Sequence, residues 1–329
     1  MTARETLFSM TELERASALV HSVMPPTPQY AWPKLAARAG CAVWVKHENH
    51  TPTGAFKVRG GLVYLDRLRS AEPNIPGVIT ATRGNHGQSL AFASARTGVP
   101  ATIYVPHNNS IDQNSSIAAF GARVVEFGKD FDEARHEASR VAAAQGLHFV
   151  PSFHRDLVIG VATYAMELLG SIQDLDTVYV GVGMGSGIVG LMTVRDLLGL
   201  KTEIVGVVSV KAPATALSFA AGRAVNASSA ATFADGIATR QPDPAAIAAI
   251  CRGAARIVQV TEDEIAAAMR IYFDDTHQVV EGAGAAPLAA LLRERGGMAN
   301  KKVALVLSGG NIEHARFLQV LSGLTPSVP

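Results

Sequence analysis

Short apolar runs, each closed by turn residues, alternate along most of this chain with stretches whose apolar positions recur at helical spacing. Runs at 77–80, 101–105 and 123–127 read as strands, and 88–96, 109–120 and 132–144 as the helices that follow them. The middle repeats the scheme, with a helix over 160–169, a strand over 177–182, a glycine-rich turn, a helix over 188–198 and a strand over 203–208. Such alternation predicts parallel βαβ units and an α/β fold. Ahead of it the pattern predicts a helix over 11–20, a Pro-rich turn at 25–28 and a strand over 42–46. Beyond it, 211–244 is irregular and rich in Ala, Ser and Gly. Thr261 and Glu264 form a capping box that opens a helix carrying Ile265, Met269 and Phe273. A helix over 284–293 then leads to the strand 303–307, and 325–329 read as frayed. In such folds ligands bind where strands end in glycine-rich turns.

Composition narrows the picture. A length of 329 residues is enough for about two domains. With 48% hydrophobic and 17% charged residues, disorder is excluded as the general state. The 29 basic against 28 acidic residues leave +1, which removes the whole-chain electrostatic case for nucleic acid or an anionic membrane. Cys41 and Cys251 lack metal or redox spacing and read as apolar side chains in a reducing compartment. The first residues carry acids and no apolar h-region, and no apolar run is long enough to span a bilayer. The expectation is a soluble cytoplasmic protein, monomeric or homodimeric, with a small-molecule partner.

Several segments carry candidate chemistry. Gly183, Met184, Gly185, Ser186 and Gly187 lie between a strand and a helix, where free backbone N–H groups and the helix N-terminus suit a phosphate; a plain βα turn has the same look. The segment is neither a Walker A loop nor a G-x-G-x-x-G fingerprint. Lys57 follows Phe56 at the start of a helical run among Ala55, Val58 and Gly60. Partial burial would lower its pKa and make the amine a nucleophile or base. Thr82, Arg83, Gly84, Asn85 and His86 open a helix after a strand, and their many donors suit a carboxylate. Ser308, Gly309, Gly310 and Asn311 stand in the same context after the last strand. Glu281, between apolar and small residues, is a candidate buried acid. The histidines show no zinc spacing, and no G-x-S-x-G elbow is present.

In their order and spacing these segments resemble the pyridoxal-phosphate-dependent threonine/serine dehydratase family, with its tryptophan-synthase-β-like fold (fold type II). The resemblance runs from about Thr27 to Ile312. It rests on Lys46-x-Glu48-Asn49 with Thr53-Gly54-Ala55-Phe56-Lys57-x-Arg59-Gly60, on Gly84-Asn85-His86-Gly87-Gln88, on Phe233-Ala234-Asp235-Gly236, on Glu281-x-Ala283-Gly284-Ala285-Ala286 and on Ser308-Gly309-Gly310-Asn311. It implies two open, mostly parallel sheets with pyridoxal 5′-phosphate in the cleft between them. A large domain would comprise 1–56 and 155–329, with a small domain of about 57–150 inserted and no regulatory domain. Lys57 would carry the cofactor, beside Phe56, and remove the substrate α-proton. Gly183 to Gly187 would hold its phosphate, Asn85 its 3′-hydroxyl and Ser308 its pyridine nitrogen, with Gly309 also among the cofactor-binding residues. Thr82, Arg83, Gly84, Asn85 and His86 would bind the substrate carboxylate, and Glu281 would be a second catalytic group.

The implied reaction is dehydration and deamination of a β-hydroxy-α-amino acid such as L-threonine or L-serine to a 2-oxo acid and ammonia. Some positions depart from the family pattern. Ala55 replaces a usual Ser, and Met184 and Ser186 interrupt a usual run of glycines. Arg83 stands where racemases of the family carry the serine that acts on the opposite face, so racemisation is disfavoured. Val208, Ser209, Val210 and Lys211 lack the acid that begins the racemase metal site, and no metal is expected. Pro151, Ser152, Phe153 and His154 also alter the domain junction. These changes keep a bulkier substrate in view, a phenylserine or a hydroxy amino acid derived from hydroxyectoine. A β-replacement synthase and a non-catalytic metabolite-binding protein are the readings of other classes.

Overall fold

A computed structural model describes residues 6–327. In chain order the elements are α1 (Met10–His21), β1 (Gln29–Ala31), α2 (Pro33–Ala39), β2 (Ala42–His47), α3 (Lys57–Ala71), β3 (Val78–Ala81), α4 (Asn85–Thr97), β4 (Ala101–Val105), α5 (Ile111–Ala119), β5 (Arg123–Glu126), α6 (Phe131–Gln145) and β6 (His148–Phe149). There follow α7 (Arg155–Ser171), β7 (Thr177–Gly181), α8 (Ser186–Leu197), β8 (Glu203–Ser209), α9 (Ala214–Ala221), α10 (Pro244–Gly253), β9 (Arg256–Val260), α11 (Glu262–Thr276), α12 (Gly282–Glu294), β10 (Lys302–Leu307) and α13 (His314–Leu321).

Two sheets organise the chain. One has six strands in the order β1-β2-β10-β7-β8-β9, parallel except for the antiparallel edge pair β1–β2. The other has four parallel strands in the order β5-β4-β3-β6. The α/β class with mostly parallel sheets flanked by helices is as the sequence pattern predicts. The inner strands β3, β7 and β10 are buried, largely apolar runs because helices cover both faces of each sheet. One apolar core extends from α3, α4 and α7 to α8 and reaches both sheets, through Val78 and Ile103 on one side and Val178 and Val180 on the other. A second lies on the opposite face of the six-stranded sheet, under α11 and α12.

Helix α3 is central to this packing. It lies against α4 and α7, and its glycines allow close approach: a Cβ on Gly61 would come within 2.3 Å of the Ser89 hydroxyl. That hydroxyl donates to the Lys57 carbonyl at 2.6 Å. Two residues into the helix, the fully buried Arg59 guanidinium holds Glu48 through Nε (2.8 Å) and Nη2 (3.0 Å), and Glu167 through Nη1 (2.6 Å) and Nη2 (3.0 Å). Lys46 donates to Glu167 at 2.5 Å and to the Thr27 carbonyl at 2.9 Å. Two cations and two anions from β2, α3, α7 and the turn after β2 thus neutralise one another inside the core. Burial alone would raise Glu167, but Arg59 and Lys46 outweigh it and hold the carboxyl near 2.

The structure also differs from the sequence pattern. Strand β9 was hidden by the polar Arg256 and Gln259, α2 by its brevity, and α13 by its apolar face being mostly uncovered. Thr325, expected in a frayed end, donates its hydroxyl to Asp263 at 2.5 Å; residues 328–329, like 1–5, lie outside the described residues. Both cysteines are free. Among the described residues no helix is long and apolar enough to cross a membrane.

Removing one member of the buried ion cluster leaves its partners charged and unsatisfied. Glu48→Ala is therefore expected to lower unfolding free energy by about 3–5 kcal/mol, read as a shift of the urea midpoint at unchanged m-value.

Candidate active site

Three strand ends converge on one cleft. Past the carboxyl end of β3 come Thr82 to Asn85, past β7 come Gly183 to Ser186, and past β10 come Ser308 to Asn311. The segment leading into α3 joins them by backbone pairing: Ala55 bridges Gly309, Phe56 N–H donates to the Ser308 carbonyl at 3.0 Å, and Gly310 N–H to the Gly54 carbonyl at 2.9 Å. The cavity so formed measures about 620 Å³. All of Phe56, Lys57, Thr82, Arg83, Gly84, Asn85, His86, Gly183, Met184, Gly185, Ser186, Gly187, Glu281 and Ser308 line it. Of the residues given a cofactor or substrate role from the resemblance, only Gly309 is not in the wall; its backbone carbonyl accepts from Glu281 N–H at 3.1 Å.

Lys57 is the first residue of α3, where the helix N-terminus disfavours a cation and no acid stands in the first turn. Its Nζ donates to the Ser186 hydroxyl at 3.3 Å and lies 5.1 Å from the centre of the Phe56 ring. Burial pulls the amine down to about 8. Ser186 opens α8, whose cap, Gly185, has φ +100°, a conformation that disfavours any side chain. Gly183 packs so tightly that a Cβ there would come within 2.3 Å of the Gly236 carbonyl. Two glycines thus set the path of the turn, which ends at the N–H end of a twelve-residue helix whose first residue, Ser186, accepts from the lysine.

Across the cleft, Glu281 precedes α12 and is 9% exposed. Asn85 Nδ2 donates to both its oxygens, at 2.9 and 3.1 Å. Burial pushes the carboxyl up to about 7; Asn85 and the Asn311 N–H oppose the rise, and Asp235 adds to it. His86 is pulled down to about 3 by burial and by Lys57, so it is a neutral imidazole, and its buried Nε2 has no partner in the protein. The Thr82 hydroxyl accepts from Gly84 N–H (3.0 Å) and Gly87 N–H (3.3 Å), fixing the start of α4.

At the mouth, ion pairs cross from one sheet's elements to the other's. Arg83 approaches Asp235 at 3.6 Å, and Asp235 also accepts from Arg316 at 3.1 Å. Arg240 pairs with Asp132 of α6. Among the described residues no group of three or more His, Cys, Asp or Glu is placed to hold a metal ion.

An enclosed lysine without an acidic partner, beside a glycine-rich turn and a serine hydroxyl at a helix N-terminus, fits a phosphate-bearing aldehyde. Residues 21–309 match the family of pyridoxal-phosphate dependent enzymes. The chain belongs to this family. It is 36% identical over 280 residues to the L-threonine ammonia-lyase of Geobacter sulfurreducens, covering 85% of this chain and 69% of that one. It is 29% identical to the L-threo-3-hydroxyaspartate ammonia-lyase of Saccharomyces cerevisiae over 94% of both chains. Among solved structures, the processed form of threonine deaminase isoform 2 from Solanum lycopersicum superposes with TM-score 0.87 at 28% identity, over 98% of this chain and 96% of that one. The fold is that of fold type II pyridoxal-phosphate enzymes.

Two site residues escaped the sequence reading of side-chain chemistry. Asn311 was noted only within a turn, yet it bonds Asn85; Gln113 of α5 donates to the Asn311 carbonyl at 3.2 Å. Neither contact has a local signal, since each joins segments about two hundred residues apart.

Because the Glu281 pKa is raised on folding from 4.5 to about 7, its ionisation destabilises the folded chain. That cost is absent below 4.5, grows as pH rises, and is complete above 7. Glu281→Gln should therefore gain stability relative to the parent cofactor-free protein between those limits, as melting temperatures against pH will show. Parallel curves would contradict the burial argument.

Proposed function

We propose that this enzyme is an ammonia-lyase that dehydrates and deaminates a β-hydroxy-α-amino acid, with L-threonine and L-serine as the first substrates to test. The observation that carries the reading is the Lys57 amine, enclosed and depressed, 3.3 Å from Ser186 at the glycine turn and sharing a cleft with Glu281. The names of its relatives point to the same chemistry.

Bound pyridoxal phosphate supplies the electron sink that makes the α-proton removable. The residues supply the rest. Lys57 anchors the cofactor, then takes the α-proton and holds it at Nζ. Gly183 to Gly187 and the N-terminus of α8 would hold the phosphate, with the Ser186 hydroxyl, which accepts from the amine, also available to it. Ser308 would serve the pyridine nitrogen; a hydroxyl there, unlike a carboxylate, does not stabilise a charged ring. Asn85 would serve the ring hydroxyl. Thr82 to His86, on the first turn of α4, bind the substrate carboxylate. Glu281, raised toward neutrality, can hold or release a proton beside the reacting atoms. The β-hydroxyl leaves as water and the released enamine takes up water again, so the net products are a 2-oxo acid and ammonia.

Phe131, Phe149, Phe153, Met184 and Arg83 line the same cleft and would bound a substrate side chain lying against them. This lining, more aromatic than a methyl group needs, favours a second reading: the same reaction on a bulkier β-hydroxy amino acid. We further read the elements from about 57 to 150 as a small inserted unit, whose motion would open and shut the cleft.

Purified enzyme supplied with the cofactor should be yellow and release equal amounts of 2-oxo acid and ammonia from one member of a panel of β-hydroxy amino acids. Lys57→Ala should lose both the covalently held cofactor and all product. A thioether formed from added thiol without ammonia would instead mark a β-replacement synthase. Arg83→Ala should reorder the panel, in kcat/KM, by roughly tenfold or more if Arg83 contacts the side chain; an unchanged ranking would confine it to its pairing with Asp235.

A further inference from the structure

The carboxyl of Glu281 depends on the way one amide is turned. Asn85 could present either its oxygen or its nitrogen to Glu281, and the two faces have opposite effects. Its Nδ2 faces the carboxylate, at 2.9 and 3.1 Å. The reason lies one residue further out. Asn311 Nδ2 donates to the Thr53 carbonyl at 2.7 Å and to Asn85 Oδ1 at 2.8 Å. A backbone carbonyl can only accept, so it fixes the amide group of Asn311. That amide in turn requires an acceptor from Asn85, which leaves the Asn85 nitrogen for Glu281.

Packing holds Asn311 in this place. A Cβ on Gly54 would lie 2.5 Å from Asn311 Oδ1, so the turn before α3 closes on it. Gln113 Nε2 grips its carbonyl at 3.2 Å, and Gln88 grips Gln113 at 2.6 Å. Asn311 stands at the end of β10, while Asn85, Gln88 and Gln113 belong to helices of the four-stranded sheet.

We propose that Asn311 is a positioning residue of the active site, which reads the Thr53 carbonyl and passes a fixed donor–acceptor polarity through Asn85 to Glu281. This rests on the proposed function only in making Glu281 a working group; the polarity itself is a property of the fold. The other ionisable groups of this cleft wall are Asp235, whose charge opposes that of Glu281, Lys57 at the start of α3, His86 on α4, Arg83 and Arg316, both held by Asp235, Glu313 paired with Arg316, and Asp130, Asp132, Arg135, Arg240 and Asp243.

The test exchanges the donor for an acceptor. In Asn311→Asp, Asn85 must turn over to donate to the introduced carboxylate, presenting its oxygen to Glu281. Only a protonated carboxyl satisfies that oxygen. The protonation midpoint of Glu281 should rise by about one pH unit or more. It is read by infrared titration of the cofactor-loaded enzyme, with the Glu281→Gln spectrum subtracted to identify the band. Asn311→Ala removes the lock but lets Asn85 keep donating, so its midpoint should move less. An unmoved midpoint in Asn311→Asp, or equal shifts in the two variants, overturns the proposal.

Should Asn311→Asp fail to fold, hydrogen exchange at the Asn85 side-chain amide in Asn311→Ala decides. Faster exchange than in the parent supports the lock, and unchanged protection refutes it. If the parent released ammonia from no β-hydroxy amino acid, the proposed function would fail while the midpoint comparison stood.

Discussion

Lys57 can project an uncompensated amine into the cleft because Arg59, two residues further along α3, is anchored on the other side by Glu48 and Glu167. A helix begins at Lys57, so successive side chains fan out around it. The first turns to the cleft and the third turns to the core. Burying two cations and two carboxylates costs desolvation, and apolar residues of the same shape could be as stable. What apolar residues could not do is fix direction. Arg59 makes a two-pronged contact with each carboxylate, which leaves α3 little freedom to rotate or slide. The amine therefore has a fixed position without an acid beside it, and its lowered pKa survives.

The same economy governs the rest of the site. The turn after β7 combines a helix end with the Ser186 hydroxyl that accepts from Lys57. The turn after β10 is stitched to the strand-like segment before Lys57, which sets Ser308 in register with the amine. Glu281 hangs from the Gly309 carbonyl by its own N–H. Lys57, and Glu281 and Ser308 more than two hundred residues further along the chain, are thereby referred to one short stretch of backbone.

Much of this could be read from the chain. Strand β4 falls where the run 101–105 puts it, because all of its residues but the half-buried Thr102 are buried and its ends stand out against the flanking turns. Helix α11 begins where Thr261 and Glu264 say it should. Helix α12 starts at Gly282, two residues ahead of the sequence reading; Gly and Ala at its start carry little periodicity, and its burial on all sides supplies what propensity lacks. The site residues were legible as short blocks, each locally ambiguous, and their order along the chain gave them meaning. Which side chains would touch was not legible. Neither the pairing of Asn85 with Glu281 nor that of Arg59 with Glu167 leaves a mark in local pattern, since both depend on how helices cross. Arg83 stood out as a departure, but its partner Asp235 emerged only from the fold.

That partner has a bearing on traffic. Arg83–Asp235 and Arg240–Asp132 fasten the rim of the cleft, and at least one member of each pair is well exposed. Exposed pairs contribute on the order of 1 kcal/mol or less each. The core beneath is held by apolar packing and by the enclosed ion cluster, neither of which the rim must disturb in order to part. The rim can therefore unfasten many times in the lifetime of one folded molecule, admitting solute and shedding products, while the lysine beneath it keeps its aim.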